Sequence, residues 1–259
     1  MRGTMESTGQ ASQQETPGTD DFAEVRPRIT PAMEDYLKAV YRLNADGGPV
    51  TTQRLADELG ISGPSVTNMV KRLDELKMLQ HTRYHGVVMT KAGERVALEV
   101  LRHHRLLEVY LAESLGYPWD EVHEEAERLE HLVSDKLERS IDRALGHPTF
   151  DPHGAPIPTA EGEMPALSNR RLSDLAVGEI ATVEQVSDRD PEQLRYLGTL
   201  GLIPGQRVQL RQRLPFEGPF RLLVGAEEHV IGAPLARIVH VVVDTADPAG
   251  AQPVEPVGH

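Results

Sequence analysis

Apolar and polar positions along this chain follow successive rhythms, and each change of rhythm marks a new part. After Thr30-Pro31, apolar residues recur at Met33, Leu37, Val40 and Tyr41. That is the spacing of one helix face, behind a capping hydroxyl and a proline suited to the first helical position. Gly47-Gly48-Pro49 stops this helix. Thr51 opens a short second helix, TQRLADEL, which ends at Gly60. Ser62 caps a third, GPSVTNMVKRLDELKML, with Val66, Val70 and Leu73 turned inward. Two short helices joined by a tight turn at Gly60-Ile61-Ser62 predict a helix-turn-helix. Leu79–Arg83 and Val87–Thr90 flank Tyr84-His85-Gly86 and predict a small hairpin, which makes the unit a winged helix.

A longer helical rhythm runs from Thr90 to about Leu115, where Gly116 ends it. Asp120 opens another helix that runs to Leu145, ahead of Gly146-His147-Pro148. The stretch 148–169 holds Pro and Gly with little periodicity and reads as a linker. From Leu172 the segments EIATVEQV, RVQLRQR, FRLLVG, HVIG and ARIVHVVV predict five short strands of a small SH3-like barrel. The expected fold is therefore mainly α with a small all-β domain. Its parts are a disordered tail (1–28), a winged helix-turn-helix domain (29–91), a helical domain (92–148), a linker (149–169), an SH3-like domain (170–244) and a second disordered tail (245–259); the resemblance given below implies DNA binding for the first domain and dimerisation and metal binding for the second.

Composition narrows the function classes. The absence of cysteine removes disulfides, thiolate metal sites and cysteine nucleophiles together. No stretch is long and apolar enough for a membrane span, and the polar start, MRGTMESTGQ, lacks a secretory signal. A cytoplasmic protein with no membrane partner is expected. The net charge of −13 opposes broad nucleic-acid affinity. Residues 51–85 depart from it: Arg54, Lys71, Arg72, Lys77 and Arg83 outnumber Asp57, Glu58, Asp74 and Glu75. No nucleophile motif is present, so no catalytic residue is assigned.

The segment from Asp120 to Leu145 carries the most chemistry. On a helical wheel, Val122, Ala126, Leu129, Val133 and Leu137 form an apolar stripe, and His123, Glu127, Glu130, His131 and Ser134 lie beside it. Carboxylates at the margin of a core need a neutralising partner, and a divalent cation is one. The preceding helix places His104 in an apolar stripe with Glu108 four residues on, a spacing that can chelate one ion. Oxygen and imidazole donors suit Mn²⁺ or Fe²⁺. The same residues also read as an ordinary solvated helix face.

The runs LRHHRLLE, VHEEAERLEHLVSDKLERSID and DPHGAPIP, in that order, resemble the diphtheria-toxin-repressor family over about residues 30–244. LRYLGTLGLIPGQRVQLRQRLPFEGPF is similar to the FeoA-type C-terminal domain of its manganese branch. The resemblance implies a homodimeric, metal-dependent regulator of metal homeostasis, with Mn²⁺ as cofactor (Fe²⁺ the alternative) and manganese uptake genes repressed. It implies a primary site of Asp35, Glu127, Glu130 and His131. An ancillary site would use His104, Glu108 and His123, with Asp190 and Gln193 from the barrel. Iron-responsive members carry Met and Cys at the Asp35 and Glu127 positions. Lys38 stands where binuclear relatives have Glu, which favours separate sites, and His103 is a bystander. Ser62, Pro64 and Asn68 would face bases, and Ser65, Thr67, Lys71, Arg72 and Arg83 would meet phosphates of an inverted-repeat operator. Pro64 reads equally well as a helix-start residue. A winged-helix regulator of a non-metal effector is the rival from residues alone, and a metal-dependent hydrolase is another.

Overall fold

Helix α1 (Pro31–Ala45) starts at the proline. Helix α2 (Thr52–Leu59) is capped by Thr51, whose side chain accepts from Arg54 N, and closes on Gly60 at φ 64°. Helix α3 (Gly63–Glu75) follows. Strands β1 (Leu79–Thr82) and β2 (Gly86–Met89) pair antiparallel as the expected hairpin. In this computed structural model the described residues are 29–45, 47–82, 86–216 and 218–244. The two expected tails, and Arg83, expected to meet a phosphate, lie outside them. The chain divides into two units, the second beginning at Arg95.

In the first unit Met33, Leu37, Val40, Val66, Val70 and Leu73 are buried, as their spacing predicts, Leu55 is buried with them, and Tyr41 is half-buried. Two polar devices hold the connections. Arg54 spends its guanidinium on the carbonyls of Leu43, Gly47 and Pro49, closing the α1–α2 loop. Val87 N donates to Val50 O, and Gly86, at φ 88°, brings the hairpin so close that a Cβ would sit 2.5 Å from that same carbonyl.

The second unit contains most of α4 (Lys91–Val109), a π-helical turn (Tyr110–Ser114), α5 (Val122–Leu129), a 3₁₀ turn (Glu130–Leu132) and α6 (Asp135–Ala144). The single helix expected from Asp120 to Leu145 is thus two helices with a break. Val133 is extended (φ −75°, ψ 118°), and Ser134 caps α6 by accepting from Leu137 N. A serine hydroxyl offers the backbone this alternative to a continued helix. Leu137, expected in the apolar stripe, is exposed in consequence, while Val122 and Ala126 are buried.

The expected linker also differs. Asp151 and residues 153–158 are buried. Their backbone polar groups are paired: Asp151 N with Ala155 O, Ile157 N with Thr149 O, and His153 O with Val186 N. The carbonyls of Pro156 and Pro158 accept from Arg105 and Arg102. A segment satisfied by partners from other elements needs no period of its own.

Strands β3 (Ile180–Val186), β4 (Arg207–Arg213), β5 (Phe220–Val224), β6 (Glu227–Ile231) and β7 (Val239–Val243) form one antiparallel sheet in the order β6-β5-β4-β3-β7. Its core includes Val183, Leu210, Leu222 and Val241. Two helices were not expected: α7 (Pro191–Thr199), between β3 and β4, and the short α8 (Ala233–Arg237). Among the described residues, no helix is long and apolar enough to cross a membrane.

Candidate metal centres and DNA-reading helix

Helices α4 and α5 lay three donors against one another. His104 Nε2 lies 3.0 Å from His123 Nδ1 and 3.0 Å from Glu108 Oε1. His123 Nδ1 lies 3.1 Å from the same oxygen. An octahedral ion with ligands at about 2.1 Å separates neighbouring donors by about 3.0 Å, so this triangle matches one face of a coordination polyhedron. His104 and Glu108 are fully buried. Burial disfavours the charged form of His123, but hydrogen bonds to Asp188 and Glu108 outweigh it and push its pKa up to about 10. Burial opposes ionisation of Glu108, yet the imidazoles of His104 and His123 hold its carboxyl well below the usual range.

From the barrel side, Asp188 Oδ2 lies 3.3 Å from His123 Nδ1. Asp190, two residues on, caps α7 instead. Its carboxylate accepts from the backbone N–H groups of Glu192 and Gln193 and from the Gln193 side chain. The resemblance had implied Asp190 and Gln193 as the barrel's ligands.

Behind Glu108 lies a second set that sequence reasoning missed, made of Glu108, Asp151 and His153, all buried, with donor atoms within 4.8 Å of one another. His153 Nε2 donates to Trp119 O at 2.7 Å, which leaves a lone pair on Nδ1. That nitrogen, Glu108 Oε2 and Asp151 Oδ2 are buried without a hydrogen-bond partner. Buried acceptors without partners destabilise a protein unless a cation or a proton satisfies them. Burial and then the charge of Glu108 raise Asp151 well above the usual carboxylate range, against the weaker attraction of Arg105. The signal available in sequence was the run DPHGAPIP, used only as a mark of resemblance.

Of the primary set, Glu130 is fully buried, its Oε2 2.6 Å from His104 Nδ1 and its Oε1 3.5 Å from His131 Nε2. Glu127 is half-exposed, with Oε1 3.7 Å from His123 Nε2 and 4.0 Å from His104 Nδ1. The 3₁₀ turn at Glu130–Leu132 presents Glu130 and His131, where the continuous wheel had put them on one helical stripe. Asp35 is half-buried on α1 in the first unit. His103 is buried in a structural network: its Nε2 lies 3.2 Å from Glu138 Oε2, and Arg102 pairs with Glu138 and Asp142.

On α3, Val66, Val70 and Leu73 face the core, while Pro64, Ser65, Asn68, Lys71 and Arg72 are exposed on the opposite side. Ser62 Oγ and Ser65 Oγ share a hydrogen bond of 2.9 Å. Thr67 is half-buried and donates its hydroxyl to Gly63 O, which leaves it less available to a phosphate than its neighbours.

Comparison with known proteins agrees with this division of labour. Residues 28–87 match the N-terminal DNA-binding domain of the iron-dependent repressors, residues 90–159 their metal-binding and dimerisation domain, and residues 170–243 the FeoA domain. The chain belongs to the iron-dependent repressor family, the family of the diphtheria toxin repressor, and is a metal-dependent DNA-binding repressor, not an enzyme. It is 31% identical over 220 residues to the iron-dependent repressor IdeR of Mycobacterium tuberculosis, a match covering 80% of this chain and 95% of that one. It is similar to a solved manganese-dependent transcriptional repressor in complex with manganese (TM-score 0.77, 38% identity, 82% of this chain and 99% of that one). It is also similar to the manganese regulator SloR (TM-score 0.71, 30% identity, 83% and 100%).

Proposed function

We propose that this protein is a manganese-responsive repressor that binds an inverted-repeat operator as a cytoplasmic homodimer and represses manganese uptake genes. The carrying observation is the chemistry of the donors. Every ligand of the two centres proposed below is a carboxylate or an imidazole, and the His104–His123–Glu108 triangle has the spacing of metal-bound atoms. Hard oxygen donors suit Mn²⁺ by ligand type. Asp35, Glu127, Glu130 and His131 would hold the primary ion. His104, Glu108, His123 and Asp188, backed by Asp151 and His153, would form the ancillary centre.

A bound ion supplies positive charge where buried carboxylates otherwise repel. With Asp35 on the reading unit and Glu130 and His131 on the dimerisation helices, one ion ties the two parts. Two recognition helices are then held about 34–36 Å apart, one turn of DNA. Pro64 and Asn68 would meet bases there, and Ser65, Lys71 and Arg72 phosphates. Metal removes a conformational penalty before DNA arrives, so operator DNA must tighten metal binding by the same factor.

Selection of genomic fragments by the purified protein tests this reading. An inverted repeat enriched in Mn²⁺, and lost in chelator or with His131→Ala, is the expected result. The same repeat enriched in chelator would overturn metal control. The iron-dependent relatives favour a second reading, Fe²⁺ as effector, and anaerobic selection with each ion separates the two.

A further inference from the structure

Trp119, the chain's single tryptophan, stands in the turn before α5, and its ring packs against the apolar core of the barrel. Gly198, on α7, receives it: a Cβ at that glycine would lie 3.1 Å from Trp119 Cζ2 and 3.2 Å from Nε1. Asp120 adds a pair at 2.9 Å to Arg195, one turn back along α7. The Trp119 backbone is engaged as well. Its carbonyl accepts from His153 Nε2 at 2.7 Å, and the His153 carbonyl accepts from Val186 N at the end of β3.

We propose that Trp119 is a latch that docks the barrel on the helical domain by side-chain contacts alone, and so positions Asp188 against His123. The docking stands by itself; the positioning role rests on the metal reading above. Glycine weakens the helix it sits in, and the room that Gly198 leaves is filled by an indole. The apolar contact does the holding, because the Arg195 side chain is 61% exposed and exposed ion pairs contribute little.

Asp188 lies in the short connection between β3, which ends at Val186, and α7, which starts at Pro191. Both ends of that connection are tied to residues outside the barrel, β3 through the His153 carbonyl and α7 through Trp119. A short loop fixed at both ends has little conformational freedom left to lose. Asp188 Oδ2 is thereby held 3.3 Å from His123 Nδ1, and an ion arriving there does not have to gather the barrel first.

A chain with one tryptophan reports on this contact directly. Gly198→Leu drives a branched side chain into the ring's seat while making α7 a better helix. In chelator its tryptophan emission should shift to the red, and acrylamide should quench it more strongly than in the parent. Calorimetric titration of the full chain with Mn²⁺ reads the consequence. Gly198→Leu and Trp119→Ala should each weaken the His123-dependent sites about 10–100-fold, the loss expected when a supporting group is removed. Trp119→Phe should recover most of that affinity. Asp188→Asn should weaken the same sites, and joining it to Gly198→Leu should add nothing further, since a latch that acts through Asp188 then has nothing to position. A role in packing alone would give additive losses. Trp119→Ala lies outside the barrel, so its arm stands if Gly198→Leu fails to fold.

Equal emission and quenching of the parent and Gly198→Leu in chelator would overturn the latch and leave the metalloregulator standing. Additive losses with Asp188→Asn would overturn the positioning role. Absence of any His123-dependent Mn²⁺ binding in the parent would overturn the ancillary centre and the positioning role together, while the red shift in chelator would still establish the docking.

Discussion

Replacing Asp151 by asparagine should move metal-free stability and metal affinity in opposite directions. The Asp151 Oδ1 atom accepts from the backbone N–H groups of His153 and Ala155, and an asparagine oxygen keeps both bonds. The Oδ2 atom is buried without a hydrogen-bond partner. Arg105 Nε, at 3.7 Å, attracts it without bonding it, and that guanidinium already donates to Pro156 O. An amide nitrogen at Oδ2 puts a donor in place of an acceptor, in a cluster whose ligand atoms lie within 4.8 Å of one another. Satisfying a buried polar group is worth about 1–3 kcal/mol, and each kcal/mol shifts Tm by about 2–4 °C for a chain of this size. In chelator, Asp151→Asn should therefore melt a few degrees above the parent.

With Mn²⁺ the variant has lost an anionic donor. If affinity falls about 10–100-fold, as it does when a supporting group is removed, saturating Mn²⁺ should stabilise the variant by about 1.4–2.7 kcal/mol less than the parent. Calorimetric melts in chelator and at one fixed Mn²⁺ concentration give both quantities. pH adds a sign. The Asp151 pKa is raised, so its contribution to metal-free stability is present at low pH and is lost as pH climbs through the raised value. The variant's lead in chelator should widen with pH. A variant that melts lower than the parent in chelator, or gains as much from Mn²⁺, would refute the reading of this cluster as a cation site.

Three further outcomes are expected. The His103 hydrogen bond and the Arg102 pair hold Glu138 down to about 2, so its stabilisation is present above the ordinary carboxylate range and lost as pH falls toward 2. Glu138→Gln should lower the neutral-pH Tm and flatten the acid limb of a stability–pH curve. Gly154→Ala places a Cβ 2.0 Å from Glu184 O at a φ of +83°, and should destabilise by more than about 1 kcal/mol and weaken Mn²⁺ binding in the same titration. His123, held protonated up to about 10 by Asp188 and Glu108 after burial is overcome, must lose its ring proton to ligate. Mn²⁺ binding should thus release protons at pH 7, read as a heat that varies with the ionisation enthalpy of the buffer, and His123→Ala should reduce that release.

What could be read along the chain depended on where each element finds its partners. Helices α1 to α3 were legible because an amphipathic helix writes its burial into its own period, and Pro31, Thr51 and Gly60 punctuate the ends. The sheet was legible for the same reason at period two. The break at Val133–Ser134 was not, because serine is ordinary on a helix face and only the hydrogen bond to Leu137 N turns it into a cap. The segment from Asp151 to Pro158 was read as a linker because its order comes from elsewhere: Arg102 and Arg105 supply donors to its proline carbonyls, and β3 supplies Val186 N. Asp188 and Asp190 are chemically alike and two residues apart. The start of α7 separates them in the structure: Asp190 accepts from Glu192 N and Gln193 N as a helix cap, whereas Asp188 lies against His123. The proposed centres divide in the same way: His104 and Glu108 share a spacing that can be read along one helix, whereas Asp151 and His153 do not, because a side chain brought in by tertiary structure carries no spacing to read.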